Sequence, residues 1–185
     1  MTPAASVGDG DRLRLFLALQ LPAETLDVLE DWQARQLAGG RPVPREHLHV
    51  TLAFLGSRPR AELPALVGAL RASVDGAGEM PLAPVRWHET RSVGMIVLRD
   101  LAGRATALAE ALHGRLEGLG VYRRDARSWL PHLTVLRFRE RPRLQPPLPA
   151  TGTFVPSGAA AYLSRLHPTG ARYEVLTRIS LNAGG

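Results

Sequence analysis

Two stretches of this chain carry the same pattern, and that duplication limits the fold more than any other feature. His47-Leu48-His49-Val50-Thr51-Leu52-Ala53-Phe54 and Pro131-His132-Leu133-Thr134-Val135-Leu136-Arg137-Phe138 both read histidine, apolar, threonine, apolar. A single His-x-Thr is weak evidence, because an isolated strand histidine is commonly structural. Two copies, each in a strand-like run preceded by a helix-like run, imply two related halves that contribute one motif each.

Periodicity places the other elements around them. Leu13 to Leu21 reads as a buried strand ended by Pro22, and Ala23 to Leu37 as a helix with Leu26, Leu29, Trp32 and Leu37 at helical spacing. Gly39-Gly40 stops that helix, and Pro42 and Pro44 form an extended connector into the strand His47 to Leu55. A second helix is expected over Ala61 to Val74, then a hairpin of Val85 to Glu89 and Gly94 to Leu98 about Thr90-Arg91-Ser92. Leu101 to Leu119 gives the clearest helical stripe, closed by Gly118 and Gly120, and the strand Leu130 to Arg139 follows. After a stiff proline-rich loop, Gly152 to Val155, Ala159 to Arg165 and Arg172 to Leu181 read as strands. Met1 to Asp11 lacks periodicity and reads as a disordered leader, so residues 12–185 are expected to form one two-lobed domain. Gln20 and Pro22 cut the first apolar run too short for a signal peptide.

Composition removes several classes of function. The chain of 185 residues has no cysteine, which excludes disulfide frameworks, thiolate nucleophiles and cysteine zinc sites and suits a reducing, cytoplasmic setting. Its apolar content of 45% suffices for a core but not for membrane spans. No Gly-x-Ser-x-Gly elbow occurs, and a P-loop is excluded because all 23 basic residues are arginine. The net charge of +6 favours an anionic partner, nucleic acid or nucleotide first, since guanidinium groups match phosphate oxygens in pairs.

In a strand, side chains two apart share a face, so each motif presents an imidazole beside a hydroxyl. Two facing motifs make a four-group site of His49, Thr51, His132 and Thr134. One histidine can act as base while the other acts as acid, and the threonines can donate to an oxyanion. Displacement at phosphorus requires base and acid on opposite sides of the phosphate, which a pseudo-twofold arrangement supplies. Lacking a metal cluster, such a site relies on these groups and on arginine for charge stabilisation.

These segments resemble the two-histidine phosphoesterase superfamily, and most closely its RNA 2',3'-cyclic phosphodiesterase branch, long called 2'-5' RNA ligase. The likeness runs from Arg14-Leu15-Phe16-Leu17-Ala18-Leu19-Gln20-Leu21-Pro22, through both histidine motifs, to Leu163-Ser164-Arg165 and Gly170-Ala171-Arg172-Tyr173-Glu174-Val175-Leu176. It implies an α+β, bilobal fold: two antiparallel sheets with helices outside and a central cleft carrying the His-x-Thr pairs. It also implies hydrolysis, with neither a metal nor a cofactor required, of a terminal RNA 2',3'-cyclic phosphate, tRNA fragments included, to a 2'-phosphate by a monomer, with 2'-5' ligation as the reverse. His132 takes the base role and His49 the acid role by resemblance. Rival readings are a phosphodiesterase of small cyclic nucleotides or of 2'-5' oligonucleotides, and a non-catalytic RNA-binding module.

Arg137, five residues after His132, stands where the family often carries a basic residue that approaches the phosphate or the terminal nucleotide. Strict alternation puts it on the opposite face, so only a bulge would return it to the cleft. Phe54 has the same offset from His49 and is expected mainly in the core. His47 is expected at a strand entry on the His49 face. Trp87 and Trp129 are expected in the core, and Arg123, Arg124 and Arg127 are a solvated cluster that could attract an RNA backbone.

Overall fold

In the computed structural model, residues 11–181 are described; the expected leader lies outside them except for Asp11. The first apolar run is strand β1 (Arg12–Gln20), whose end at Pro22 opens helix α1 (Ala23–Gln36). Then come β2 (Arg41–Pro42), β3 (Val50–Pro59), α2 (Leu63–Val74), β4 (Leu82–Glu89), β5 (Val93–Asp100), α3 (Arg104–Gly118), β6 (His132–Arg137), β7 (Gly158–Arg165) and β8 (Arg172–Ser180).

The strands are ordered β4-β5-β6-β3-β1-β7-β8, with β2 added on β6, and neighbouring strands pair antiparallel. The sheet consists of two arms, β4-β5-β6 and β3-β1-β7-β8. They meet at the β3–β6 seam, where the register contains the single pair Val50↔Leu133. Leu15, Leu17 and Leu19 of β1, Leu29 and Trp32 of α1, Leu66 and Leu70 of α2, and Leu108, Leu112 and Leu116 of α3 are buried together in the main core. Each such side chain contributes about 1.5–3 kcal/mol by leaving water. The opposite face has a small aromatic floor of Phe16, Ala18, Ala160 and Tyr162, with Tyr173 and Val175 packed against it.

Several sequence expectations need correction. Gly152–Val155 is not a strand; Phe154 makes only an isolated bridge to Leu82. The third helix begins at Arg104, after Gly103 turns the chain at φ 69° and Asp100 accepts the Thr106 N–H at 2.7 Å, so Leu101 is left half exposed. The proline connector includes β2, and His47 lies in a 3-10 turn (Arg45–His47) rather than in the strand. Among the described residues, no helix is long and apolar enough to cross a membrane.

Candidate active site

Val50 and Leu133, the two residues paired at the seam, each follow a motif histidine, and both side chains are fully buried beneath the sheet. Carrying that antiparallel register one residue either way sets His49 across from Thr134 and Thr51 across from His132. A local twofold axis through the Val50–Leu133 pair therefore exchanges the motifs. His49, Thr51, His132 and Thr134 are all half-buried, as alternation with the buried Val50 and Leu133 requires.

The histidines are held by the same device. Nδ1 of His49 lies 2.7 Å from the His47 carbonyl, and Nδ1 of His132 lies 2.9 Å from the Leu130 carbonyl, two residues back in each case. A carbonyl only accepts, so each Nδ1 carries a proton and each Nε2 is left to work. The Thr51 hydroxyl lies 3.0 Å from Nε2 of His49 and donates to it in the neutral tautomer.

A second duplication explains what lies five residues farther on. The β1–β3 register passes from Leu17↔Ala53 to Ala18↔Thr51, leaving Leu52 as an extra residue; the β5–β6 register passes from Gly94↔Leu136 to Met95↔Thr134, leaving Val135 extra. Both bulges stand three residues after the histidine, and each produces two consecutive buried residues, Leu52-Ala53 and Val135-Leu136. The residues next beyond them, Phe54 and Arg137 among them, change face. Arg137 thereby reaches the cleft side, where its guanidinium donates to the Tyr173 hydroxyl at 3.3 Å and its charge acts on His47 and His49. Phe54 is not in the core as expected: it is 62% exposed, with its ring 5.5 Å from that of Phe16.

A cavity of about 870 Å³ is lined by Thr51, Phe54, Tyr122, Trp129, Leu130 and His132 among others. Trp129 also donates its indole N–H to the Thr51 carbonyl at 3.0 Å, and His113 ties α3 to β3 through Nε2 and the Leu52 carbonyl at 2.7 Å. The chain is similar over most of its length to proteins named for an activity. The LigT like Phosphoesterase family matches residues 19–84. The RNA 2',3'-cyclic phosphodiesterase of Thermus thermophilus is 33% identical over 91% of this chain and 90% of its own length. That of Escherichia coli is 30% identical over 91% and 96%.

The chain belongs to the LigT-like phosphoesterase family. The crystal structure of E. coli LigT complexed with 3'-AMP superposes with a TM-score of 0.76 at 25% identity, over 91% of this chain and 98% of that one.

Within this LigT-like fold, burial acts strongly on the first motif. The His49 ring packs against Phe16, Tyr162 and Tyr173 at centroid distances of 4.8, 5.8 and 5.7 Å. Burial lowers its pKa from 6.5 to about 4; the His47 carbonyl opposes that shift, while the charges of His132, Arg137 and His47 add to it. His47 is also lowered, chiefly by burial, with Arg137 and Arg172 adding and Glu46 opposing. Its ring lies 4.6 Å from that of Tyr173, and its Nε2 accepts the Tyr173 N–H at 3.4 Å. The expected arginine cluster is partly neutralised: Arg124 pairs with Glu117 at 3.0 Å and Arg127 with Asp125 at 3.5 Å. Among the described residues, no group of three or more histidine or carboxylate side chains could hold a metal.

Proposed function

We propose that this chain is an RNA 2',3'-cyclic phosphodiesterase that opens the terminal ring to a 2'-phosphate with its two motif histidines. The cyclic phosphate sits between His49 and His132 with its non-bridging oxygens toward Thr51, Thr134 and Arg137. Nε2 of His132 takes a proton from water as the water oxygen bonds to phosphorus. The bond from phosphorus to the 3' oxygen breaks on the other side, and Nε2 of His49 supplies the proton that this oxygen needs. Phe54 offers its exposed ring to the terminal base.

The observation that carries this reading is the local twofold about Val50–Leu133, with each Nδ1 tied to a carbonyl, which leaves Nε2 as the proton-exchanging nitrogen of each ring. It supplies two acid–base groups in inverted orientation about one point, which in-line displacement needs and simple RNA binding does not. Because His49 is neutral in the free protein at pH 7, the acid role requires a proton that enters with the substrate. The phosphate anion favours that uptake by offsetting both the burial of the ring and the neighbouring positive charges.

The test is turnover of an oligoribonucleotide ending in a 2',3'-cyclic phosphate, in EDTA, with 2'- and 3'-phosphate products resolved. Wild type is expected to yield the 2'-phosphate, while His49→Ala and His132→Ala each lose about 10²–10⁴ in rate. Binding without ring opening would support the RNA-binding reading instead, and opening only of mononucleotide rings would support the small-nucleotide one.

A further inference from the structure

We propose that a basic cavity beside the histidines is a second phosphate subsite, which takes the phosphate on the 5' side of the nucleoside whose cyclic phosphate reacts. This rests on the reaction proposed above. The cavity measures about 440 Å³ and is lined by Arg41, Glu46, His47, Arg137, Arg172 and Tyr173 together with the turn before Arg172.

Its charge arrangement is costly for a structural region. Arg41 and Arg137 stand directly opposite one another across the β2–β6 pair, and like charges in that position are destabilising. Arg172 adds a third cation, close enough to act on His47 along with Arg137. None of the three makes an ion pair among the described residues. Among the described residues, Glu46 is the one acid in the lining. Three guanidinium groups gathered without carboxylate partners match an anion supplied from outside.

Two of these cations are positioned. The Arg41 guanidinium donates to the Thr169 carbonyl and lies against Gly170, whose φ is 122° and where an added Cβ would stand 3.3 Å from the Arg41 terminal nitrogen. That turn favours glycine for its backbone angle. Arg137 is held by the Tyr173 hydroxyl. The Arg172 side chain has no hydrogen-bond or ion-pair partner among the described residues and stands at an exposed strand start, so it is the cation most available to a ligand.

The geometry also says which phosphate enters. Tyr173 and Arg137 border both this cavity and His49, so an anion here is a near neighbour of the reacting group. The larger cavity on the other side carries Phe54 and Trp129 and suits the base. A nucleoside spanning the two leaves its 5' oxygen facing the arginines. Two sources share this chemistry: an internal phosphodiester of an RNA strand and the terminal 5'-phosphate of a nucleotide.

The experiment compares three substrates: a nucleoside 2',3'-cyclic phosphate with a free 5'-hydroxyl, the same compound with a 5'-phosphate, and a dinucleotide ending in the cyclic phosphate. Arg172→Gln is expected to lower kcat/KM about tenfold on the two substrates that carry a 5' phosphate, beyond any loss on the 5'-hydroxyl compound. A loss confined to the dinucleotide assigns the site to the RNA strand; a loss on both assigns it to any 5' phosphate. Calorimetric binding of the corresponding 2'-phosphate products gives a second readout. If no substrate is turned over, the reaction assigned above fails, and the subsite is then judged by whether Arg172→Gln weakens the dinucleotide product more than the nucleoside product. Equal effects of Arg172→Gln on all three substrates, or none on any, would overturn the proposal; an unchanged melting temperature shows that the variant is folded.

Discussion

Replacing His49 with Asn should flatten one part of the pH dependence of stability. The folded imidazole titrates near pH 4 instead of 6.5, chiefly because burial among Phe16, Tyr162 and Tyr173 penalises its charge. Above pH 6.5 neither the folded nor the unfolded chain carries that proton, and the site is neutral toward stability. Between pH 6.5 and about 4 the unfolded chain binds the proton and the folded one does not, so stability falls as pH falls. At 1.36 kcal/mol per pH unit the loss totals about 3 kcal/mol by pH 4. For a chain of this size that corresponds to a melting temperature lower by about 6–12 °C. Asn cannot titrate, yet keeps a polar group near the His47 carbonyl. Melting curves of both proteins from pH 8 to pH 4 isolate the effect, because His47, Glu89 and the other titrating groups are common to both. Wild type should lose its advantage over His49→Asn by that amount across the window. Parallel curves would mean that His49 takes up its proton as readily in the folded chain as in the unfolded one, and the argument from burial would fail.

Binding of phosphate or a nucleoside 2'-phosphate at pH 7 should take up about one proton, seen as a dependence of calorimetric enthalpy on buffer ionisation; no uptake would move His49 from acid to base. The acid limb of kcat/KM, which reports the free enzyme, should lie near pH 4 whichever histidine is the acid. Phe54→Ala should raise KM for RNA ends about 5- to 100-fold by loss of base stacking, with the melting temperature almost unchanged because the ring is largely exposed. Glu89→Gln should destabilise by about 2–3 kcal/mol while sparing kcat, since the buried carboxylate accepts the Leu144 and Arg143 N–H groups, Arg141 and the Trp87 indole. Burial alone would raise the Glu89 pKa, but those donors hold it below the usual carboxylate value, so its contribution is lost as pH falls through that lowered value.

The parts of this fold visible in the sequence are those carried by simple periods. The leucine stripes of α1 and α3 and the apolar runs of β1 and β7 each expose one dominant spacing, and the histidine motifs stand out because they repeat. The bulges did not stand out, since Leu52-Ala53 and Val135-Leu136 are apolar pairs that a strand buried on both faces would also contain. Only their equal offset from the histidines distinguishes them, and alternation counted through them sends Phe54 and Arg137 to the wrong side. The His47 turn was hidden for a related reason: Pro44 and Arg45-Glu46 favour a tight turn, yet His47, His49 and Thr51 satisfy strand alternation equally well. The arginine pairing of β2 with β6 joins residues far apart in the chain, and a two-residue strand ending in proline leaves no periodic trace.

The matched bulges put unlike residues, Phe54 and Arg137, at positions that the local twofold would otherwise make equivalent. A five-membered cyclic phosphate is itself almost symmetric at phosphorus, with two ester oxygens that differ only in the sugar carbon they leave. A perfectly symmetric pocket would accept that ring in either sense and release a mixture of regioisomers. With an aromatic plane on one side and a cation on the other, the two senses of entry differ in energy. On the reading proposed above, the symmetric residues serve the displacement itself, and the difference between Phe54 and Arg137 biases which ester bond breaks.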